Sequence, residues 1–139
     1  MASRKMKYKE IKVGMRFSFK RVITPEDGEI FSELTGDFNP LHLDKKFAQK
    51  SQFGKNIVHG MLAGSLFSAL IGVHCPGRSS LYLSQTLNFK QPIFYGDQLR
   101  VVGQVTNKSE PLKIITLKTE ILRGNEAVVT GEAKVKLLD

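Results

Sequence analysis

The strongest constraint on the fold is one apolar segment, residues 59–73, which precedes a long stretch patterned for strands. The segment is apolar on nearly every side, which predicts a buried helix rather than a surface helix. Small residues within it would let another backbone approach closely: Gly60, Ala63, Gly64, Ser68 and Gly72. After Pro76-Gly77 the hydrophobic period becomes two, which is typical of strands. We therefore expect a sheet that wraps around one central helix.

The second half of the chain predicts five strands in a mostly antiparallel sheet. They cover residues 81–83, 87–94, 99–105, 114–122 and 127–138. In the last strand, alternate residues from Ala127 to Leu137 predict a buried face, and those from Val128 to Lys136 an exposed face. Gly124-Asn125 predicts the hairpin turn before this strand.

The first half carries helical signals instead. Thr24 can cap a helix that starts at Pro25 and stops at Gly36. Asn39-Pro40 predicts a tight turn, and a second short helix is expected over residues 44–50. Helices followed by antiparallel strands define an α+β class, and a sheet wrapped around one apolar helix is a hot-dog architecture. With no repeat or linker, residues 1–139 are expected to form a single domain.

Composition narrows the class of protein. Hydrophobic residues make up 41% and charged residues 24%, which excludes a mostly disordered or collagen-like chain. The net charge of +8 suits phosphate-bearing ligands, nucleic acid or an anionic membrane surface, and does not choose among them. A single cysteine, Cys75, and no signal-peptide run in residues 1–20 favour a reducing, cytoplasmic location. The apolar run 61–73 is too short to span a membrane.

Asp37 and His42 are the first candidates for chemistry. They lie 42 − 37 = 5 residues apart across the Asn-Pro turn, a spacing that can place a carboxylate and an imidazole on one side of a loop. Such a pair suits general acid and base work near neutral pH and can hold a water molecule. The alternative from the residues alone is an aspartate that stabilises the turn and an ordinary loop histidine.

His59-Gly60 opens the apolar helix, where backbone N–H groups are free and partially positive. Without a side chain, Gly60 would let an ester or thioester carbonyl reach its N–H, which predicts an oxyanion hole. The alternative is that His59 is a core histidine and Gly60 a packing residue.

Other chemistries lack their patterns. His42, His59 and His74 do not have zinc-site spacing, so we expect no metal. Cys75 follows the apolar helix and is expected to be a structural thiol. The sequence contains no G-x-S-x-G and no glycine-rich phosphate loop.

Taken together, these motifs resemble a known family. They are Asp37-Phe38-Asn39-Pro40-Leu41-His42-Leu43-Asp44, Ile57-Val58-His59-Gly60-Met61-Leu62, residues 81–89, Gln91-Pro92 and Gly96-Asp97. The string is similar to the single hot-dog, MaoC-like (R)-specific enoyl-CoA hydratases, over about residues 8–138. A D-x-N-P-x-H element followed by H-G-M is far more specific than either half alone.

The resemblance implies roles for particular residues. Asp37 and His42 would hold the water that adds across the double bond, Gly60 would supply the oxyanion N–H, and Asn39 and His59 would shape the site. Ser68 and Ile71 match acyl-pocket positions, with core packing as the alternative.

The resemblance also implies an acyl-CoA substrate and a homodimer whose sheets join edge to edge. No cofactor is expected, because coenzyme A is part of the substrate, and neither nucleic acid nor membrane is an expected partner. Two other functions stay open: a hot-dog acyl-CoA thioesterase and a non-enzymatic acyl-CoA-binding regulator. Against a DNA-binding regulator, no helix-turn-helix precedes Tyr8. Coenzyme A and acyl carrier protein both remain possible as the thioester handle.

Overall fold

A six-stranded antiparallel sheet covers one side of a central helix in the computed structural model, which describes residues 2–139. The strands are β1 (Arg16–Arg21), β2 (Ser80–Gln85), β3 (Asn88–Phe89), β4 (Leu99–Ser109), β5 (Ile114–Arg123) and β6 (Glu126–Leu137). Their order is β1-β4-β5-β6-β2, and β3 also pairs with β6. All these pairings are antiparallel, which confirms the predicted α+β hot-dog fold.

Within residues 2–139, four α-helices and a π-helical turn accompany the sheet. They are α1 (Pro25–Thr35), α2 (Pro40–Leu43), α3 (Lys45–Gln49), α4 (Gly60–Ala69) and the turn Leu70–His74 that continues α4. The predicted cap of α1 is confirmed, since the Thr24 hydroxyl accepts a hydrogen bond from the backbone N–H of Asp27 (3.3 Å). Gly36 ends α1 in the left-handed conformation, with φ of 81°.

The prediction of a tight turn at Asn39-Pro40 is wrong in one respect. Pro40 is the first residue of α2, and the Asn39 side chain accepts a hydrogen bond from the N–H of Leu41 (3.0 Å). Proline is tolerated there because the first N–H groups of a helix have no intrahelical partner. The motif therefore starts a helical turn and fixes where His42 lies.

The core consists of two clusters that meet at the end of α4. Phe67 and Leu70 belong to the first cluster, together with residues from β4, β5 and β6. Ile71 and Cys75 belong to the second, which also includes Tyr8 from the N-terminal segment. The segment formed by α4 and the π-helical turn therefore contributes residues to both core clusters.

The prediction that α4 is buried on nearly every side is also wrong. Met61 is 60% exposed, and Ser65 and Ser68 are exposed as well. The reason is that the sheet lies against only one side of the helix. The other side, with Met61, Ser65 and Ser68, lines a cavity.

Two strand predictions need smaller corrections. Residues 87–94 form only the two-residue strand β3, because the segment turns away near Pro92, which has no N–H to donate. Val128, assigned to the exposed face of the last strand, is 0% exposed and packs in the first cluster. A register irregularity between Ile121 and Leu122, next to Val128, interrupts the regular alternation of faces.

Within residues 2–139, no helix is long and apolar enough to cross a membrane.

Candidate active site

Asp37, on the connection between α1 and α2, lies close to His42 in α2, and His59 lies next to both. One carboxylate oxygen of Asp37 and one ring nitrogen of each histidine lie within 4.8 Å of one another. The turn itself is held locally, since Asp37 Oδ1 accepts a hydrogen bond from the N–H of Asn39 (3.1 Å). Two polar groups at this separation leave room for a bridging water.

The protonation of the neutral His42 ring follows from its backbone partner. Nδ1 of His42 lies 2.8 Å from the carbonyl oxygen of Ile57. A carbonyl only accepts, so Nδ1 carries the hydrogen and Nε2 keeps its lone pair. His42 is half-buried. Its Nε2, which keeps the lone pair, can therefore accept a proton.

His59 is the buried member of the group. It is 2% exposed, and its ring stacks on that of His42, with centroids 4.0 Å apart. Burial lowers the pKa of His59, and the charge of a protonated His42 lowers it further, against a smaller opposing effect of Asp37. His59 is therefore neutral at pH 7.

Gly60 begins α4 beside a cavity of about 340 Å³, here called cavity A. Its lining includes His42, Phe53, Ile57, Gly60, Phe89 and Lys90. A Cβ at position 60 would lie 3.1 Å from the ring of Phe89, so a side chain there would crowd Phe89 at the start of α4. The free N–H groups at the start of α4 thus lie next to cavity A.

Asp37 lines a different cavity of about 680 Å³, here called cavity B. Its lining includes Asp37, Met61, Ser65, Ser68, Tyr82 and Leu87. Cavity B therefore borders the exposed side of α4. His42 and Asp37, which are neighbours, consequently border one cavity each.

The two residues assigned to the acyl pocket lie in different places. Ser68 lines cavity B, whereas Ile71 is 1% exposed and packs in the second core cluster. The packing alternative given for Ile71 thus matches its position. Asn39, the other site-shaping residue, is exposed and caps α2.

Ser32 contacts His59 and Tyr95 contacts the backbone of His42, and the sequence predicted neither contact. The Ser32 hydroxyl lies 3.1 Å from Nε2 of His59, and the Tyr95 hydroxyl donates to the backbone carbonyl of His42 (3.0 Å). A Cβ at Gly28, on α1, would collide with the Tyr95 hydroxyl, so the absence of a side chain at Gly28 lets Tyr95 pack against α1. The one available signal was that Gly28 and Ser32 lie four residues apart, on one face of a helix.

The spacing of Asp37, His42 and His59 also fits a cluster of metal ligands, but the orientation of the rings does not. The two imidazole rings are stacked, with centroids 4.0 Å apart and planes at 28°, so one ion cannot lie in the plane of both rings at bonding distance. Nε2 of His59 is in addition bonded to Ser32. The geometry therefore argues against a metal ion held by all three groups.

Comparisons with known proteins identify the family of the chain. The family model described as MaoC like domain matches residues 7–126. A curated (R)-specific enoyl-CoA hydratase from Aeromonas caviae is 44% identical over 95% of this chain and 99% of its own length. A 3-hydroxybutyryl-CoA dehydratase from Methylorubrum extorquens is 37% identical over 94% of this chain and 83% of its own.

A solved structure gives the same result for the fold. An unliganded R-hydratase from Pseudomonas aeruginosa matches with a TM-score of 0.92 and 36% identity, covering 97% of this chain and 87% of that one. This chain has a hot-dog fold, with its D-x-N-P-x-H segment beside the start of the central helix, and with the matched family model it is a MaoC-like protein. The chain belongs to the MaoC-like domain family.

Proposed function

We propose that the protein is an (R)-specific enoyl-CoA hydratase, a hydro-lyase that adds water to a trans-2-enoyl thioester and gives the (R)-3-hydroxyacyl thioester. The observation that carries this proposal is the placement of Asp37 and His42 between two cavities, beside the free N–H groups of α4. Its (R)-hydratase relatives over nearly the whole chain support the same reaction.

The protein groups account for each atom of the added water. Asp37 and His42 hold the water, and Nε2 of His42, which keeps its lone pair, takes a proton as the oxygen bonds to C3. The π electrons of the C2=C3 bond move toward the thioester carbonyl. The proton then returns from the pair to C2 on the same face, which completes a syn addition.

The start of α4 would stabilise the intermediate charge. As the enolate-like oxygen develops, the Gly60 N–H donates to it, and the positive end of the helix dipole lies nearby. One such donor contributes on the order of 10² to 10³ in rate in other enzymes.

The two cavities suggest how the substrate lies. Cavity A includes Gly60 and Lys90, which suits the thioester and the start of a phosphate-bearing handle. Cavity B includes Ser68, Met61 and Leu87, which suits the acyl chain. Arg78, a basic residue outside the lining given for either cavity, donates to the carbonyl of Ser3 (3.1 Å). The reaction needs no cofactor beyond the substrate's own handle, coenzyme A or the equivalent arm of a carrier protein.

The exposed edge of the sheet supports a homodimer. β2 pairs with β6 on one side, and Leu81 and Leu83 on β2 are 49% and 46% exposed. Pairing of β2 with β2 of a second copy would cover this edge and extend the sheet. Sedimentation equilibrium should give twice the chain mass, and a monomer at micromolar concentration would contradict it.

Crotonyl-CoA tests the proposed reaction directly. Purified protein should remove the absorbance of the conjugated enoyl thioester, and chiral analysis should give (R)-3-hydroxybutyryl-CoA. A thiol reagent in the same assay separates hydration from thioester hydrolysis, since only a thioesterase releases free coenzyme A.

Three results would reject the proposal. They are no turnover of crotonyl, hexenoyl or octenoyl thioesters, release of free thiol in step with the absorbance loss, and an (S)-product. Binding of acyl-CoA without turnover would favour the non-enzymatic regulator.

A further inference from the structure

A buried hydrogen bond connects α1 to the start of α4, directly behind the catalytic pair. The Ser32 hydroxyl on α1 lies 3.1 Å from Nε2 of His59. Ser32 is 0% exposed and His59 is 2% exposed, so solvent does not compete for this contact. Phe31, the neighbour of Ser32 on α1, also packs against the His59 ring, with centroids 4.9 Å apart.

The surroundings of His59 determine which nitrogen carries its hydrogen. Nε2 also faces the backbone carbonyl of Asp37 at 3.4 Å, and a carbonyl can only accept. Nδ1 is buried, with no partner among the described residues. A hydrogen on Nδ1 would leave a buried N–H unpaired and turn two acceptors toward each other, so the hydrogen lies on Nε2. His59 therefore donates toward Ser32 and the Asp37 carbonyl.

These contacts reach both catalytic residues. The Nε2–H group of His59 holds the backbone of Asp37, and the face of its ring supports the ring of His42. We infer that Ser32 and His59 form a positioning pair that fixes the geometry of Asp37 and His42, an inference that rests on the proposed hydratase reaction. Neither residue of the pair touches the reacting atoms.

The pair acts through geometry and not through charge. The titratable groups that face His59 are His42, across the stack, and Asp37. Because His59 is buried and neutral, it can hold a hydrogen bond and a ring position without adding a positive charge beside His42. The rate of a positioned reaction is sensitive to such support, since a displacement of about 1 Å can cost about 10²-fold.

Ser32→Ala is the first test. It removes the hydroxyl that anchors the His59 ring and leaves the rest of α1 unchanged. We expect kcat for crotonyl-CoA to fall about tenfold, less than for a full displacement of the pair. KM for crotonyl-CoA, and both the affinity and the stoichiometry of saturated butyryl-CoA by calorimetry, should stay within twofold of the unmodified protein.

The binding stoichiometry separates positioning from a folding defect. If Ser32 were merely structural, kcat and the fraction of protein that binds butyryl-CoA would fall together, and the inference would be overturned. Ser79→Ala is the matched control, because Ser79 is also a buried serine, 8% exposed, whose hydroxyl bonds to Asp139 (2.6 Å) far from the site. It should leave kcat unchanged.

His59→Phe provides a second, independent arm. Phenylalanine keeps a ring that can stack on His42 but removes both hydrogen bonds of Nε2. If the two residues act as a pair, Ser32→Ala should cost nothing further in the His59→Phe background. Multiplied losses in the double variant would overturn the inference, and if His59→Phe does not fold, the Ser32→Ala result decides alone.

Failure of this inference is distinguishable from failure of the proposed function. If the unmodified protein hydrates crotonyl-CoA and Ser32→Ala has a kcat within twofold of it, only the positioning role is wrong. If the unmodified protein does not hydrate any enoyl thioester, the proposed function fails and the positioning role fails with it.

Discussion

His59 immediately precedes α4, and His74 ends the π-helical turn that continues it. Burial is the largest cause of a lowered pKa in both imidazoles. His59 contacts the proposed catalytic pair, with its ring on His42 and its Nε2 at the Asp37 carbonyl. The same physical shift therefore occurs at both ends of one helical segment, but only one end meets the site.

The neighbours of His74 are of another kind. Its ring stacks on Phe19 of β1 at 4.9 Å, and the charges of Arg4 and Arg21 lower its pKa further. These contacts tie the N-terminal segment and β1 to the end of the central helix. Polar contacts therefore hold the start of the central helix, near the site, whereas packing against Phe19 holds its far end. Four predictions test this difference.

The largest effect is expected at Asp37. Asp37→Asn keeps the oxygen that accepts the Asn39 N–H but removes the carboxylate charge. Activity toward crotonyl-CoA should fall by about 10² to 10⁴, since a positioned acid or base contributes that much. The melting temperature should not change. Glu33→Gln, an exposed carboxylate on α1, is the control and should be fully active. A rate for Asp37→Asn within threefold of the unmodified protein would remove Asp37 from the reaction.

Ile71 should show the opposite behaviour. Ile71→Ala opens a cavity in the second core cluster and should lower the free energy of unfolding by about 2–5 kcal/mol. Below the unfolding transition, kcat should be unchanged, and the KM ratio of hexenoyl-CoA to crotonyl-CoA should be unchanged as well. Urea denaturation and the two substrates measure these quantities. A selective shift in that KM ratio would show instead that Ile71 lines the acyl pocket.

The sequence predicted the elements well where the signal was local. The Thr24 cap, the stop at Gly36 and the Gly124-Asn125 turn each depend on a few neighbouring residues, and the structure has all three. The exposed side of α4 was missed because helical periodicity shows which residues are apolar, and not how much of the helix the sheet covers.

The candidate site divides in the same way. Asp37, His42 and Gly60 lie in two short motifs and could be identified from them. Ser32 and Tyr95 could not, because their contacts join positions 27 and 53 residues apart along the chain. Such contacts depend on the packing of α1 and of the loop after β3, for which no local motif exists.

Tyr95 gives a smaller effect than either Asp37 or Ile71. Tyr95→Phe removes the hydroxyl that donates to the His42 carbonyl and keeps the ring beside Gly28. We expect a loss of about 1 kcal/mol in unfolding free energy, the usual net value of one hydrogen bond. A several-fold lower kcat should accompany it, because His42 lies on that turn. Tyr8→Phe, in the second cluster, should leave kcat unchanged. Equal kcat values for the two variants would place Tyr95 outside the catalytic support.

The smallest effect concerns His74 and pH. Because its pKa in the folded protein is lowered, the unfolded chain binds more protons than the folded chain below the ordinary value of 6.5. Stability should therefore fall as the pH drops through that value, with His59 contributing in the same direction.

His74→Phe keeps an aromatic ring against Phe19 and removes the titration. The stability of this variant should depend less steeply on pH between 7.5 and 5.5 than that of the unmodified protein. One titrating group can change the slope by at most about 1.4 kcal/mol per pH unit. Because His74 is only partly buried, the difference in slope should be well under that limit. Urea titrations at several pH values, with kcat measured at pH 7.5, would check this. Parallel stability profiles for the variant and the unmodified protein would show that the proton affinity of His74 is the same folded and unfolded. A loss of activity at pH 7.5 in a stable variant would show that the end of the central helix far from Asp37 also supports the site.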